Sequence, residues 1–298
     1  MKILLLGKAG QVGQELRHAL PPLGQLVALG RGDSDLRDQD ALLRTLAAHR
    51  PNIIINAAAY TAVDQAETDQ NAATQVNAQA VATLAAYAKD THALLVHYST
   101  DYVFDGNKSQ PYTETDPPHP LNIYGATKLA GESAILASGC DALVFRCSWA
   151  YAPHGKNFPA TILRLARTRN RLDVVADQIG APTPAALIAD VTARAIARHR
   201  QHPLPGGIYH LAASGATNWH ALARYVVAGA AARGAALALT PDRIRPIASK
   251  DYPAAAKRPH NSRLDTTRLS DALGLRLPSW TEGMDRFLDQ LSARGEFT

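Results

Sequence analysis

Tyr124 and Lys128 are the two residues of this chain whose spacing points most directly to chemistry, and Thr100 lies 24 residues before Tyr124. A tyrosine and a lysine four positions apart share one face of a helix. We expect the ammonium group to favour the phenolate and so to lower the tyrosine pKa from its reference value near 10. Such a tyrosine can donate a proton to a carbonyl oxygen that the Thr100 hydroxyl also contacts. The alternative is a chance pair on the surface.

A glycine-rich turn stands where a nucleotide-binding fold needs one. GKAGQVG occupies residues 7–13, directly after an apolar segment and at the start of a helical pattern. Glycines there permit tight curvature and close approach of the backbone, and a helix N-terminus attracts a pyrophosphate. Because the spacing differs from GxGxxG, the strand-to-helix context carries the prediction. The alternative is an ordinary connection whose glycines serve packing.

The end of the second expected strand bears on the choice of nicotinamide cofactor. It reads Leu29-Gly30-Arg31, without the acid that holds the ribose 2′-hydroxyl of NAD. The room at Gly30 and the charge of Arg31 favour a 2′-phosphate and therefore NADPH. Asp33 and Asp35 follow closely and leave NADH open, although Asp35 can instead reach the adenine.

Strand-like and helix-like segments alternate through the first half of the chain. Strands that are apolar on both faces, separated by helices, indicate a parallel sheet covered on both sides. Strands are expected over residues 2–6, 26–29, 52–56, 93–98, 142–146, 172–175 and 207–210. Helices are expected over residues 11–20, 38–49, 69–89, 123–137, 157–167, 184–198, 219–233 and 281–292.

These elements predict a doubly wound, parallel (Rossmann-type) α/β fold with two lobes. The dinucleotide-binding domain is expected at 1–150, joined by about 183–210. A smaller, discontinuous substrate-binding lobe takes up most of 151–298. Ligands of such sheets bind beyond the carboxyl ends of the strands.

Composition and charge exclude several other classes of protein. The 298 residues are 46% hydrophobic and 19% charged, which is typical of a globular chain. The net charge of +5 is spread along the chain, so no nucleic-acid partner is expected. There is no apolar run that predicts a signal peptide or a membrane span. Cys140 and Cys147 form no CxxC motif and predict two reduced thiols in a cytoplasmic protein.

Seven segments in a fixed order resemble the extended short-chain dehydrogenase/reductase family, over essentially the whole chain. They are GKAGQVG at 7–13, NAAAYTAVD at 56–64, HYSTDYVFDG at 97–106, NIYGATKLAGE at 122–132, FRCSWAYA at 145–152, DQIGAPT at 177–183 and KRPHNSRLDT at 257–266. The resemblance implies reduction of dTDP-4-dehydro-L-rhamnose to dTDP-L-rhamnose by NADPH, or by NADH in some members. This reaction is the last step of dTDP-L-rhamnose biosynthesis.

The resemblance also implies roles for individual residues. It makes Tyr124 the proton donor, Lys128 its partner and Thr100 the tuning hydroxyl. Cofactor contacts are implied at Gly10, Gln11, Val12, Asp35, Leu36, Ala59, Tyr60, Thr61 and Tyr98. The glycine turn, the end of the second strand and the Tyr–Lys pair add Gly7, Gly13, Arg31, Tyr124 and Lys128 as expected cofactor contacts. Substrate contacts are implied at Thr100, Asp101 and Trp149.

Several features of the second half and of the connecting loops have two interpretations. Trp149 either stacks on the sugar nucleotide or fills the junction between the lobes. Arg258 and Asn261 belong to a polar run that either binds the diphosphate, as a guanidinium fork can, or is a structural loop. The long loop 105–121 is expected to form a lid over the substrate. His97 is interpreted as structural.

Metal and partners are less defined by the sequence. Some family members are described with Mg²⁺ at a dimer contact, but the second half offers no carboxylate cluster to hold it. We therefore predict no metal site, and ketone reduction by these residues needs none. A sugar nucleotide is the expected small-molecule partner, and a homodimer is left open.

Two other functions fit the same scaffold. One is a sugar-nucleotide epimerase or dehydratase that retains NAD and recycles its hydride. A dehydratase usually has acid and base carboxylates after the strand-end threonine, and here only Asp101 stands before Tyr102. The other is a non-catalytic regulatory subunit, against which the intact Tyr124, Lys128 and Thr100 argue.

Overall fold

Six parallel strands form the central sheet of this computed structural model, which describes residues 1–297. The strands within these residues are β1 (Lys2–Leu6), β2 (Gln25–Leu29), β3 (Ile53–Asn56), β4 (Leu94–Thr100), β5 (Ala142–Cys147), β6 (Ala150–Tyr151), β7 (Leu172–Val175), β8 (Ile179–Gly180), β9 (Thr183–Pro184), β10 (Gly207–Leu211), β11 (Thr217–Asn218) and β12 (Ile244–Ile247). The order across the sheet is β10-β5-β4-β3-β1-β2. The predicted doubly wound parallel fold is therefore confirmed.

Helices cover both faces of this sheet and build a second core beside it. They are α1 (Gln11–Ala19), α2 (Gln39–His49), α3 (Val63–Ala66), α4 (Gln70–Thr74), α5 (Ala80–Thr91), α6 (Ile123–Ser138), α7 (Phe158–Ala166), α8 (Ala185–Gln201), α9 (Trp219–Ala232), α10 (Thr267–Leu273) and α11 (Trp280–Ala293). Short 3₁₀ turns lie at Pro21–Leu23, Asp101–Val103, Pro241–Arg243 and Ser249–Asp251.

Alternate side chains of each strand enter two separate apolar cores. Ile3 and Leu5 of β1 pack with Leu16 of α1 and Ile188 of α8. Leu4 and Leu6 of the same strand pack on the opposite face, with helices α2, α5 and α6. Strands buried on both faces need apolar side chains on both, as Ile3–Leu6 of β1 and Ile53–Ile55 of β3 have.

The second lobe has its own core, formed by α7, α9 and α11. Its largest buried side chains include Phe287, Leu288 and Met284 of α11, packed on Val226 of α9. Strands β7 and β12 pair in parallel at its edge. Strand β10, by contrast, leaves this half of the chain and pairs with β5 in the main sheet. How the chain divides into domains stays a prediction.

The helix expected over 69–89 is interrupted. Residues Gln75–Gln79 form a π-helical turn between α4 and α5. Such turns insert one residue into the helix and often lie at functional sites. Here the turn carries Asn77, whose side chain is fully buried. Helix α10, which the sequence did not predict, packs Leu269 into the core of the main sheet.

Two expectations about the chain as a whole concern its thiols and its membrane association. Cys140 and Cys147 are both free, as predicted. Within residues 1–297 we find no helix with the length and apolar character needed to cross a membrane.

Candidate active site

The first turn of α6 places Tyr124 beside the end of β4. Asn122 caps this helix, because its side-chain oxygen accepts a hydrogen bond from Gly125 N–H at 2.8 Å. A Cβ atom at Gly125 would lie 2.2 Å from the carbonyl oxygen of Tyr102, so only glycine lets the helix come this close. The rings of Tyr102 and Tyr124 meet edge to face, with centroids 5.9 Å apart.

Thr100 and Asp101 form the carboxyl end of β4 next to this ring. The Thr100 hydroxyl donates to Asp101 Oδ1 at 3.1 Å and interacts with the Tyr124 phenol. Asp101 also accepts a hydrogen bond from Ser148 at 3.1 Å. Burial raises the pKa of Asp101 to about 6, because a charged carboxylate is costly away from water. Thr100, Asp101 and Tyr124 therefore meet at the carboxyl end of β4.

The expected lowering of the Tyr124 pKa is wrong in direction. Burial raises this pKa to about 12, and the hydrogen bond from Thr100 offsets only part of the rise. Lys128 does not oppose this effect, because its Nζ points into the sheet, where it donates to the Tyr98 carbonyl at 2.6 Å. Tyr124 is consequently protonated at neutral pH, as a proton donor has to be.

Lys128 is itself strongly perturbed. Its side chain is 2% exposed, and its burial lowers the pKa to about 8. Besides the Tyr98 carbonyl, Nζ contacts His97 Nε2 at 3.2 Å. The Tyr98 hydroxyl points to the other face of the sheet and pairs with Thr192 at 2.9 Å.

The glycine turn has the geometry that its position suggests. Gly7 adopts φ +88°, and a Cβ there would lie 2.6 Å from Ala58 N. A Cβ at Gly13 would lie 2.0 Å from the carbonyl oxygen of Gly7, so α1 packs directly on the strand end. Gly10 precedes α1, and no side chain caps the helix there. A Cβ atom at Gly10 would lie 3.5 Å from its nearest neighbour, the carbonyl oxygen of Gly7. The first N–H groups of α1 are therefore open to an anion.

The side chains after the turn divide between the two lobes. Gln11 accepts a hydrogen bond from Asn157 of the second lobe at 2.9 Å. Val12 packs on the core of the main sheet.

The loop after β2 carries alternating charges around the half-buried Gly30 and the exposed Arg31. Lys8 pairs with Asp33 at 2.7 Å, and Asp33 also accepts from Gly30 N–H at 2.8 Å. Asp35 is held by Arg37 at 2.6 Å, which keeps the pKa of its carboxyl well below the usual value. Arg31 is 71% exposed and only 3.4 Å from Asp35 at its nearest point. Leu36 is buried in the core behind this loop.

The loop after β3 is held by the π-helical turn. Asn77 accepts from Tyr60 N–H at 2.9 Å and donates to the Tyr60 carbonyl at 3.1 Å. It also donates to Thr127 of α6 at 3.2 Å. Ala59 and Tyr60 are half-buried and Thr61 is exposed along this loop. Asn77 therefore fixes both the loop and the helix that bears Lys128, and no periodic pattern in the sequence singled it out.

Trp149 stacks on Trp219 rather than standing free. The two rings are parallel, with centroids 3.4 Å apart. Trp149 has φ +45°, an uncommon conformation for a bulky residue that often marks a functional site. Gly180 allows this placement, because a Cβ there would lie 2.5 Å from the indole. The pair lies at the junction of the lobes.

A cavity of about 630 Å³ opens beside this junction. Its walls include Phe158, Trp219 and Tyr252 as aromatic surfaces and Lys250, Lys257 and Arg258 as cations. This volume is typical of ligand pockets, which span about 300–1,000 Å³.

The side chains of Arg258 and Asn261 both form hydrogen bonds within the protein. Arg258 makes two hydrogen bonds to Asp64, at 3.1 and 2.7 Å, and also interacts with Tyr102. Asn261 donates to the carbonyls of Lys108 and Gln110 at 2.6 and 2.9 Å. These two hydrogen bonds hold the loop around Lys108 and Gln110, and the contact of Asn261 with substrate stays a prediction.

Backbone hydrogen bonds tie the loop 105–121 to residues 263–265, and its role as a lid stays a prediction. Tyr112 N–H donates to Arg263 O at 2.8 Å, and Asp265 N–H donates to Tyr112 O at 2.7 Å. The Phe104 and Tyr112 rings stack with centroids 4.1 Å apart. Asp105, Asn107 and Leu121 line the cavity.

Metal-binding groups are scarce in the part of the chain that the structure describes. No cluster of three or more His, Cys, Asp or Glu side chains there has the geometry to hold a metal ion.

Comparison with known proteins gives one consistent family. The profile of the family described as RmlD substrate binding domain matches residues 1–293. The chain is 49% identical to a dTDP-4-dehydrorhamnose reductase of Burkholderia thailandensis, covering 94% of this chain and 95% of that protein. It is 46% identical to the Escherichia coli K12 protein of the same name, covering 98% of each.

Among solved structures, a dTDP-4-dehydrorhamnose reductase from Bacillus anthracis in complex with NADP has a TM-score of 0.88. It shares 33% sequence identity, and the match covers 97% of this chain and 99% of that one.

Proposed function

This chain belongs to the RmlD substrate binding domain family, and on that basis we propose that it reduces dTDP-4-dehydro-L-rhamnose to dTDP-L-rhamnose with NADPH. The relatives of 44–49% identity named dTDP-4-dehydrorhamnose reductase align over nearly the whole chain. The observation that carries the proposal is the position of the Tyr124 phenol against Thr100 at the carboxyl end of the central strand β4.

In this account Tyr124 transfers its proton to the ketone oxygen of the sugar. In the free protein the Thr100 hydroxyl donates its single hydrogen to Asp101 at 3.1 Å. When substrate binds, this hydrogen turns to the ketone oxygen and orients it for proton transfer. Lys128 is placed one helical turn from Tyr124 to bind the ribose of the cofactor.

The chain's own residues fit a dinucleotide. The tight Gly7–Gly13 turn and the uncapped N-terminus of α1 form a cradle for a pyrophosphate. Lys8 and Arg31 flank the loop where a 2′-phosphate would lie. When bound, NADPH supplies the hydride, and the Bacillus anthracis relative holds NADP. The preference for NADPH over NADH is part of the proposal.

The cavity beside Trp149 and Trp219 suits the dTDP portion of the substrate. Aromatic walls can stack on a base, and Lys250, Lys257 and Arg258 can neutralise a diphosphate. Arg258 would have to exchange Asp64 for the diphosphate, at least in part. A cytoplasmic location stays a prediction, and a homodimer and bound Mg²⁺ are left open.

Removing the Arg31 charge tests whether this side chain binds the 2′-phosphate of NADPH. Arg31→Ala should weaken NADPH binding by about tenfold, because one charge-assisted hydrogen bond to the phosphate is lost. NADH, which lacks this phosphate, should bind the variant as it binds the parent. Titration calorimetry with both cofactors measures this, and equal weakening for both would place the 2′-phosphate elsewhere.

Two glycines of the turn should respond differently to alanine. Gly13→Ala should destabilise the protein by about 1–3 kcal/mol, because its Cβ would overlap the Gly7 carbonyl. Gly10→Ala should leave the melting temperature unchanged, since the free protein has room for its Cβ. NADPH affinity should nevertheless fall in Gly10→Ala, because the added methyl blocks the approach of the pyrophosphate. Unchanged affinity in that variant would move the pyrophosphate away from Gly10.

A turnover assay tests the proposed function. The purified protein is mixed with dTDP-4-dehydro-L-rhamnose and NADPH, and loss of NADPH absorbance is compared with formation of dTDP-L-rhamnose. We expect one NADPH consumed for each product molecule. Protein that carries bound NAD and consumes no NADPH would instead indicate an epimerase or dehydratase. Inactive protein that binds another enzyme tightly would indicate a regulatory subunit.

A further inference from the structure

One short segment of the second lobe holds a residue of the glycine turn at three points. Asn157 Nδ2 donates to Gln11 Oε1 at 2.9 Å. His154 Nε2 lies 3.4 Å from the backbone carbonyl oxygen of Gln11. A Cβ atom at Gly155 would lie 3.3 Å from Gln11 Cγ, so the segment passes directly beside the stem of this side chain. Residues 154–157 therefore form one wall of the turn in which we expect the pyrophosphate of the cofactor.

The backbone around Asn157 fixes the orientation of its side-chain amide. Asn157 caps α7, because its Oδ1 accepts a hydrogen bond from Ala160 N–H at 3.0 Å. Its Nδ2 also donates to the carbonyl of Ala152 at 2.7 Å, and a carbonyl oxygen can only accept. Both ends of the amide are thereby assigned, and the end that faces Gln11 is a donor.

The direction of this hydrogen bond sets the Gln11 amide in turn. Because Asn157 donates, the atom of Gln11 that faces it has to be the oxygen Oε1. The two N–H groups of Nε2 then lie at the other end of the Gln11 amide. Gln11 is the first residue of α1, and the Cα–Cβ bonds of a helix tilt towards its N-terminus. The Nε2 donors therefore belong to the same end of α1 as the backbone N–H groups that are open to an anion.

We propose that Asn157 is a positioning residue that turns the Gln11 amide so that its Nε2–H donates to the pyrophosphate of NADPH. Asn157 acts through Gln11 and does not itself touch the cofactor. With the opposite orientation of the amide, Oε1 would meet the phosphate oxygens as a second acceptor and repel them. The inference rests on the cofactor site of the proposed function, and it goes beyond that site in giving the second lobe a part in cofactor binding.

A purely structural role of Asn157 is the alternative. As the cap of α7 and as a donor to Ala152, this side chain stabilises its own lobe whatever Gln11 does. Asn218 has the same place at the start of α9, where its side-chain oxygen accepts from Ala221 N–H at 2.8 Å. Asn218 is thus a cap of the same residue type in the same lobe, and its substitution measures the effect of the cap alone.

Asn157→Ser is the first test, because serine caps a helix as well as asparagine does and is too short to reach Gln11. We expect the NADPH affinity of the full-length protein to fall by at least about fivefold, since a well-placed hydrogen bond to a charged group is lost. Titration calorimetry measures it. Asn218→Ser should bind NADPH as the parent does. Parent affinity in Asn157→Ser, or an equal loss in Asn218→Ser, would overturn the inference.

Gln11→Met shows whether Asn157 acts through Gln11. Methionine keeps the length of the side chain but carries no amide, and NADPH should bind this variant about tenfold more weakly. The double variant should bind NADPH within about twofold of Gln11→Met alone, because Asn157 then has no amide to position. Losses that multiply in the double variant would show two independent effects and contradict the proposal.

A ligand without a pyrophosphate separates positioning from a general defect of the cofactor site. Adenosine 2′-monophosphate carries the adenine, the ribose and the 2′-phosphate of NADPH, but no pyrophosphate. Its affinity should be the same in Asn157→Ser and in the parent. A loss for this ligand as large as that for NADPH would mean that the substitution distorts the whole site, and the assignment of Asn157 would fall.

The Gln11 amide can also be observed directly. In the ¹⁵N-labelled protein, the side-chain N–H signals of Gln11 are identified by their loss in Gln11→Met. We expect these signals to shift when NADPH is added and to stay in place with adenosine 2′-monophosphate. Gln11 signals that do not respond to NADPH would overturn the proposal.

Kinetics separate this inference from the proposed function. In Asn157→Ser, the KM for NADPH should rise by a larger factor than kcat falls, because the lost contact binds the cofactor before and during reaction. A parent protein that passes the binding tests but reduces no sugar would remove the proposed function and leave the Asn157 assignment intact. An active parent whose NADPH affinity does not depend on Asn157 would do the reverse.

Discussion

Tyr124→Phe is expected to lower kcat by at least about 100-fold, because the phenol is the proton donor and general acids contribute about 10²–10⁴ in rate. The substitution removes one oxygen atom and leaves the ring beside Tyr102 in place. Affinity for NADPH should therefore stay within about twofold of the parent, so that the loss lies in kcat rather than in cofactor binding. Steady-state kinetics with both substrates varied, together with calorimetry of NADPH binding, measures both quantities.

Tyr87 of α5 offers a matched control for this experiment. Its hydroxyl donates to the Leu46 carbonyl at 3.1 Å, far along the chain from the site. Tyr87→Phe should keep the parent kcat. Full turnover in Tyr124→Phe would exclude this tyrosine as the proton donor, whatever Tyr87→Phe does.

The second large effect is on stability. Arg146 of β5 and Glu132 of α6 form an ion pair in which the side chains are 2% and 1% exposed. Arg146→Met should lower the free energy of unfolding by about 3–5 kcal/mol, because it leaves a buried carboxylate without its partner. Equilibrium denaturation in urea, followed by circular dichroism, measures the change.

Two variants show whether burial is the cause of this loss. Arg194 pairs with Asp190 at a site where the side chains are 63% and 56% exposed. Arg194→Met should cost no more than about 1 kcal/mol, as exposed ion pairs do. The double variant Arg146→Met with Glu132→Leu should recover much of the lost stability, since an apolar pair leaves no charge buried. A loss for Arg146→Met as small as that for Arg194→Met would contradict the account.

The fold and the site's principal residues could be predicted from local sequence. The boundaries of β1 and β7 match the expected segments, and those of α6 differ by one residue at its C-terminus. Apolar runs and helical spacing are local properties, and they decide these elements. The same holds for the Tyr124–Lys128 pair, whose spacing alone places both side chains on one helix face.

Features that depend on distant partners could not be predicted. Arg258 binds Asp64, which is 194 residues away, and Asn261 binds the carbonyl of Lys108, 153 residues away. The sequence around Arg258 and Asn261 does not show whether these side chains bind a distant part of the protein or a diphosphate. The π-helical turn was missed because the alanine-rich pattern continues through it without a break.

The direction of the Tyr124 pKa shift shows the same limit. Sequence spacing brings Lys128 near the tyrosine, but only the structure shows that its Nζ turns toward Tyr98 and His97. The effect of burial on the Tyr124 pKa then outweighs that of any nearby charge. His97 was interpreted as structural because a single histidine in a strand carries no signal of its partner.

The most direct test of the account follows a deuterium label from cofactor to sugar. The protein is given NADPH that carries deuterium at both C4 positions of the nicotinamide, together with dTDP-4-dehydro-L-rhamnose, and the product is analysed by mass spectrometry and NMR. We predict one deuterium atom at C4 of the sugar for each molecule of dTDP-L-rhamnose formed. An unlabelled product, or a cofactor that keeps all of its deuterium while the sugar changes, would contradict the reductase and indicate a protein that recycles its own bound hydride.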